Sequence, residues 1–142
     1  LLDDLGLVAA IRSTAHNVLE KAGIEGIVEI TGRERRLPAT TEITIFRIVQ
    51  EALTNIIRHA QAESAFIGLA FRMTGVCVQV EDDGIGFDQA QAFGQRGETS
   101  GLGILGMRER AALLGGTLVI KSEKGKGSMV VLEIPNEELQ HV

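Results

Sequence analysis

The chain has 142 residues, of which 44% are hydrophobic and 23% are charged, a composition typical of one folded domain with one core. Its 14 basic and 19 acidic residues give a net charge of −5 without a basic cluster, which argues against nucleic acid as a partner. The sequence has no apolar run long enough to span a bilayer, and its single Cys77 excludes an internal disulfide and fits a reducing, cytoplasmic compartment.

The first half of the chain predicts a helix, a strand and a second helix. Apolar residues at helical spacing place the first helix at residues 5–22, and a short strand follows at 27–30. Thr40 or Thr41 is the predicted N-cap of a longer helix that runs from about residue 42 to residue 59. The sequence begins without Met inside the first helix, so we expect it to be part of a longer protein.

The second half of the chain predicts two strand pairs separated by a loop and a helix. The elements are strands at 65–73 and 76–82, a mobile loop at 89–100, a helix at 104–114, and strands at 118–122 and 129–134. Because strands come in pairs rather than in strict alternation with helices, this order predicts an α+β fold. The expected architecture is a two-layer α/β sandwich, in which helices cover one face of a mixed, mostly antiparallel sheet.

The second predicted helix carries a polar stripe. Four of its residues fall within an arc of roughly 100° on the helix surface, and these are Glu51, Asn55, Arg58 and His59. The carboxamide oxygen of Asn55 suits direct ligation of magnesium, and Glu51 suits orienting a metal-bound water. Arg58 and His59 lie one turn further on, where phosphate oxygens could be bound. The alternative is a solvated polar face with no ligand.

The strand at 76–82 ends in a carboxylate on its predicted core side. Asp82 follows three alternating valines, and a buried carboxylate costs free energy unless it is hydrogen-bonded. A purine amine is a fitting donor, and Asp82 would then select adenine over guanine. Gly84 and Gly86 permit positive φ and close approach of a flat ring. The alternative is an ordinary Asp-Gly turn, and Asp83 is expected to face solvent.

A glycine run opens the third predicted helix. Gly101, Leu102 and Gly103 precede Ile104, and backbone N–H groups at a helix start hold phosphate well. The spacing also fits a dinucleotide-binding fingerprint, but the preceding stretch 90–100 is polar rather than a buried strand, so we reject that interpretation. Residues 125–128 lack the order of a P-loop and predict a hairpin turn.

Three motifs in this order resemble the ATP-binding domain of sensor histidine kinases. Residues 50–60 resemble the N box of that family, residues 82–87 its first glycine box and residues 100–111 its second. The family lies in a wider group with DNA gyrase, mismatch-repair ATPases and a heat-shock chaperone, and shares the Bergerat ATP-binding fold. The most similar subgroup is the nitrate-sensor and desaturase-regulator type, whose helical dimerisation region ends in a segment resembling residues 2–7.

The resemblance implies roles for individual residues. Asn55 would ligate magnesium, Glu51 would support its water or polarise the attacking group, and Asp82 would bind the adenine amine. The other implied ATP-binding residues are Arg58, His59, Gly84, Gly86, Gly101, Leu102 and Gly103. Asn55 and Asp82 are expected to line one cavity, and residues 89–100 would form the lid over ATP. The family often has a further glycine where this chain has Thr99, which concerns the hinge of the lid.

The implied reaction is transfer of the ATP γ-phosphoryl group to a histidine on a separate helical domain. Residues 1–23 would end the dimerisation region, 24–136 would form the catalytic domain and 137–142 a tail. His16 lacks the neighbouring acid of the family's acceptor, His59 belongs to the pocket and His141 to the tail, so the acceptor is expected outside the chain. The implied partners are that acceptor domain, a response regulator and a second copy in a homodimer, with membrane anchoring of the parent left open. The alternatives are an anti-sigma serine kinase of the same fold and a nucleotide-free interaction module.

Overall fold

The computed structural model describes residues 2–86 and 103–136 of the chain. Its helices are α1 (Leu2–Lys21), α2 (Ala39–Asn55) and α3 (Ile104–Leu113). Its strands are β1 (Glu25–Gly32), β2 (Ser64–Arg72), β3 (Gly75–Asp82), β4 (Thr117–Ser122) and β5 (Ser128–Pro135). Within these two described ranges, no helix combines the length and apolarity that crossing a bilayer requires.

The five strands form one sheet in the order β1-β2-β3-β5-β4. β1 pairs in parallel with β2, and α2 lies in the connection between them. All other pairs are antiparallel, so the predicted mixed and mostly antiparallel sheet is confirmed. The predicted strands of the second half match β2 to β5 to within one residue at every end.

One face of the sheet is covered by helices, as the alternating burial of β2 and β3 shows. Alternate residues of both strands are buried, and most of those between them are only half-buried. The helix α1 adds buried apolar side chains at intervals of four residues, which are Leu7, Ile11, Ala15 and Leu19. These pack with α2, α3 and the sheet in one hydrophobic core, so that α1 shares the core of the sheet and the other helices.

The helix α1 is broken near its beginning. It starts at Leu2 rather than at residue 5, and Gly6 within it has non-helical angles of φ 88° and ψ 179°. Only glycine adopts such angles without strain, so two helical pieces meet at this residue. The helix ends at Lys21, and Gly23 follows it with φ 74°, as expected for a glycine beyond a helix C-terminus.

The predicted threonine cap of α2 is wrong. The helix begins at Ala39 with Pro38 in the N-cap position, and no side chain caps it. Thr41 is buried, and the Thr44 hydroxyl instead donates to the Thr40 carbonyl within the helix. The fixed φ of proline, −53° here, starts the helix earlier than a threonine cap would.

The last turn of this helical segment is wider than the sequence predicted. The α-helix ends at Asn55, and Ile56–Ala60 form a π-helix followed by Gln61 in the left-handed region at φ 52°. The predicted helix up to residue 59 is therefore correct in extent and wrong in type for its last turn. Such wide turns occur frequently at functional sites, and this one carries Arg58 and His59.

Candidate functional site

Those predicted site residues that the structure describes lie at three segments that meet: the end of α2, the end of β3 and the start of α3. The Ile85 N–H, just beyond β3, donates to the carbonyl of Ala60 at 2.7 Å, which joins β3 to the π-helical turn. A Cβ atom at Gly103 would overlap the carboxylate of Glu51, so the start of α3 lies directly against α2. The structure thus brings residues of all three predicted motifs together.

Asp82 is a buried carboxylate, as predicted from its place after the three valines. It is only 6% exposed, and its Oδ1 accepts a hydrogen bond from the Gly84 N–H at 2.8 Å. Its Oδ2 accepts a hydrogen bond from the hydroxyl of Ser128, which lies opposite it in the β3–β5 pairing. An ionised carboxylate has about four acceptor positions, so both oxygens keep capacity for a further donor.

A cavity of about 350 Å³ opens beside Asp82. It is lined by Asp82 with Glu81 and by residues of the β4–β5 hairpin, which include two lysines, Lys121 and Lys126. Asn55 is not among the lining residues of this cavity. The expectation that Asn55 and Asp82 line one cavity stays a prediction, because the predicted lid at 89–100 lies outside the described residues.

The polar stripe of α2 is divided by the change of helix type. Glu51 and Asn55 lie on the α-helical part and are half-buried, and the Oδ1 atom of Asn55 is buried. Arg58 and His59 lie on the π-helical turn and are exposed. Among the described residues there is no group of three or more His, Cys, Asp or Glu side chains that could hold a metal. The polar stripe of α2 thus offers one amide oxygen, from Asn55, and one carboxylate, from Glu51, as metal ligands.

The two glycines after β3 are required for different reasons. Gly86 has φ 67°, as predicted, and a Cβ there would overlap the carbonyl of Glu123. Gly84 does not use the positive φ that glycine permits. A Cβ at Gly84 would instead overlap the carbonyl of Ala60, so glycine is needed here for close packing of backbone on backbone.

The glycine run before α3 is described only from Gly103 onward. Gly103 occupies the N-cap position of α3 with φ 65°, and its carbonyl accepts the Met107 N–H at 3.0 Å. Gly101 and Leu102 lie outside the described residues, as does Thr99. Their predicted contact with phosphate stays a prediction.

Asp83 faces solvent, as predicted, and holds the start of β2. Its Oδ1 accepts the backbone N–H groups of Glu63 at 2.9 Å and Ser64 at 3.0 Å, and its Oδ2 accepts the Ser64 hydroxyl at 2.8 Å. The backbone hydrogen bond from Ser64, followed by that from its hydroxyl, lowers the pKa of Asp83 below its ordinary value. The two neighbouring aspartates therefore have different environments: Asp82 is buried, whereas Asp83 is exposed and hydrogen-bonds to the start of β2.

This lowered pKa predicts a pH-dependent contribution of Asp83 to stability. A carboxylate whose pKa is depressed in the folded state stabilises above its unfolded pKa of about 3.9, and that contribution disappears as pH falls through the folded value. We expect Asp83→Asn to lower the free energy of unfolding near pH 6 and to match the parent at the acid end. Urea unfolding at several pH values measures this difference, with Asp4→Asn, an exposed aspartate of α1, as control. An equal deficit at every pH would contradict it.

Two contributors to the site were not found from the sequence. Ser128 reaches Asp82 across the β3–β5 pairing, 46 positions along the chain, and no local pattern marks it. The carbonyl of Ala60, at the end of the π-helical turn, accepts the Ile85 N–H, a contact between distant segments that helical periodicity does not show. Ser128 could have been identified from the strand register, because pairing β3 with β5 places it directly opposite Asp82.

Comparisons with known proteins agree on one family and one fold. The family described as histidine kinase-, DNA gyrase B- and HSP90-like ATPase matches residues 40–138. The chain is 34% identical over 134 residues to the signal transduction histidine-protein kinase/phosphatase DegS of Brevibacillus brevis, covering 94% of this chain and 33% of that protein. It is 36% identical over 134 residues to the oxygen sensor histidine kinase NreB of Staphylococcus carnosus, covering 94% and 38%. The chain thus spans little more than a third of the length of these relatives.

The structure also resembles solved structures of histidine kinase domains. The histidine kinase domain of a blue-light activated kinase from Erythrobacter litoralis superimposes with a TM-score of 0.71 at 27% identity, over 94% of this chain and 66% of that one. The catalytic domain of the histidine kinase ThkA superimposes with the same TM-score of 0.71 at 21% identity, over 93% and 92%, and so shares the fold.

Proposed function

Because the chain belongs to the histidine kinase-, DNA gyrase B- and HSP90-like ATPase family, we propose that it is the ATP-binding catalytic domain of a two-component sensor histidine kinase. The reaction breaks the bond between the γ-phosphorus and its bridging oxygen and forms a phosphorus–nitrogen bond to a histidine, leaving ADP. The observation that carries this proposal is that the ends of α2 and β3 and the start of α3 lie together. They bring the amide of Asn55, the buried carboxylate of Asp82 and the N-cap glycine Gly103 into one region. The acceptor histidine is on a separate helical domain.

Magnesium fits the donors at the end of α2. Magnesium prefers oxygen ligands and keeps several waters, and Asn55 offers a neutral oxygen one turn after the Glu51 carboxylate. When bound, the metal neutralises charge on the phosphates. Asn55 would hold it directly, and Glu51 would orient one of its waters or polarise the attacking histidine. Arg58 and His59 on the π-helical turn would contact phosphate oxygens, as would Gly101, Leu102 and Gly103.

Asp82 would read the adenine base. Its two hydrogen bonds within the protein hold the carboxylate in place and leave acceptor positions for an exocyclic amine. A guanine presents a carbonyl oxygen at the corresponding place, which a carboxylate repels. Gly86 would lie beside the ring, and Gly84 would hold the backbone against Ala60 so that this loop keeps its shape.

The proposed partners follow from the longer relatives and from the reaction. They are the phospho-acceptor domain of the same kinase, a second copy in a homodimer and a downstream response regulator, with the reaction taking place in the cytoplasm. Within this chain, His16 pairs through Nε2 with the Glu20 carboxylate one helical turn away, at 2.9 Å on the surface of α1, but it lacks the acid directly beside it in sequence that the family's acceptor has.

Titration of magnesium-ATP into the purified domain tests the proposal. We expect saturable binding that weakens sharply when magnesium is removed by a chelator, because the phosphate charge is then no longer offset by the metal. A folded domain that takes up no nucleotide would support the interaction-module alternative instead. In the complete kinase, an acid-labile and base-stable phosphoryl product indicates phosphohistidine, whereas an acid-stable product would support a serine kinase of the same fold.

A further inference from the structure

A buried carboxylate and an exposed arginine form an ion pair near the break in α1. The carboxylate of Glu42 is on the first turn of α2, and its side chain is only 3% exposed. Arg36 binds it with two groups: Nε donates to Oε2 at 3.1 Å and Nη2 donates to Oε1 at 3.0 Å. The Leu37 N–H donates to Oε2 as well, at 3.2 Å. The two hydrogen bonds to this buried carboxylate orient the guanidinium of Arg36, although 56% of the arginine side chain is exposed.

The arginine lies against the break itself. A Cβ atom at Gly6 would come within 3.2 Å of both Cδ and Nε of Arg36, a tight contact that the arginine side chain would have to relieve by a small shift. The residues on both sides of the break also lie against the domain: Leu7 is buried, and Leu2 packs on the core. The direction of the chain before Leu7 is therefore set by contacts on both sides of Gly6.

The same helix carries the joint and the nucleotide residues. Glu42 is near the start of α2 and Asn55 is its last residue, so about 20 Å of continuous helix separates them at 1.5 Å per residue. An α-helix of this length transmits position with little bending. A segment held at Gly6 is thereby placed in a defined relation to the proposed phosphate site.

We propose that Gly6, Arg36 and Glu42 form a fixed joint that sets the direction in which the preceding chain enters the ATP-binding domain. They are positioning residues for phosphoryl transfer, because an acceptor carried by that preceding chain must meet the γ-phosphate in line. This inference rests on the proposed function. It predicts that a substitution in the joint leaves the affinity for nucleotide unchanged and lowers the rate of phosphoryl transfer.

The experiment compares Gly6→Ala with Gly23→Ala in the complete kinase. Both glycines have positive φ, 88° and 74°, and the two positions belong to α1 and its C-terminal boundary, but a Cβ at Gly23 would meet nothing within 4 Å. We expect Gly6→Ala to keep its affinity for a fluorescent ATP analogue and to lose about tenfold or more in the rate of phosphoryl transfer from radiolabelled ATP. Gly23→Ala should transfer at the parental rate.

A second variant guards against simple misfolding. Arg36→Lys keeps the charge beside Glu42 but replaces the two-pronged contact with a point charge, and it leaves the backbone of Gly6 unchanged. We expect the same separation of binding from transfer. Parental transfer rates in both variants would refute the proposed role of the joint. An equal loss of nucleotide binding and transfer would refute it too, since that result indicates a general structural defect. A parent kinase that binds no nucleotide would refute the proposed function itself, independently of either variant.

Discussion

Asn55→Asp is expected to lower the affinity of the domain for magnesium-ATP by about tenfold or more. The change replaces a neutral oxygen ligand with a fixed negative charge beside the phosphates, and unit charges about 4 Å apart at a protein surface interact by roughly 4 kcal/mol before solvent relaxation. The new carboxylate would also lie one helical turn from that of Glu51, so two acidic groups would face each other at (i, i+4). The loss should be larger for ATP than for the less charged ADP.

The control for this variant is Asn17→Asp. Asn17 is an exposed residue of a different helix, α1, so the same chemical change there adds the same net charge outside the polar stripe of α2. Calorimetric titration at a series of magnesium concentrations gives the affinity and its metal dependence for both variants. If Asn55→Asp binds with the parental affinity and metal dependence, the polar stripe of α2 is only a solvated surface.

The strands of the second half could be predicted because their signals are local. The three alternating valines before Asp82 and the glycine turns at residues 74–75 and 125–127 depend only on near neighbours in sequence, and β3 begins and ends within one residue of its expected position. The same alternation correctly placed Asp82 on the buried side of the sheet. The burial of Asp82 in the candidate site could thus be derived from pattern alone.

The shape of the turn after Asn55 could not be derived in this way. A periodicity argument assumes 3.6 residues per turn, and the segment 56–60 satisfies that pattern well enough to be continued as α-helix. What favours the wider turn is tertiary: the Ala60 carbonyl bonds to Ile85 and packs on Gly84, more than twenty positions later in the chain. Contacts between residues so far apart in sequence cannot be predicted from the pattern of neighbouring residues.

The start of α2 shows the same limit. A threonine before a helical pattern is a good cap in isolation, but the position is decided by Pro38 and by Glu42, whose carboxylate bonds back to the Leu37 N–H and to Arg36. A glutamate at that place looks like ordinary surface charge in the sequence. Its burial and its hydrogen bonds to Arg36 and Leu37 are seen only in the assembled fold.

Asp82→Asn is expected to lower the preference of the domain for ATP over GTP by roughly tenfold to a hundredfold. A hydrogen bond to a charged acceptor contributes about 1.5–3 kcal/mol when buried, which corresponds to that range. The carboxylate accepts only, so it favours the adenine amine and repels the guanine carbonyl. An asparagine amide both donates and accepts and can turn to suit either base. Because the amide oxygen of the new side chain could still accept the Gly84 N–H, the variant should remain folded.

Competition of each nucleotide against a fluorescent ATP analogue measures this preference, with Asp83→Asn as the matched control. Asp83 is adjacent but exposed and bonded to Ser64, so the same substitution there should leave the preference unchanged. Ser128→Ala removes the hydroxyl that donates to Oδ2 of Asp82. This variant should also lower the preference for ATP over GTP, but less than Asp82→Asn does, since the Gly84 N–H still donates to Oδ1. An undiminished ATP preference in Asp82→Asn would mean that adenine is recognised by another group. In that case the buried carboxylate serves only to fix β3 to β5.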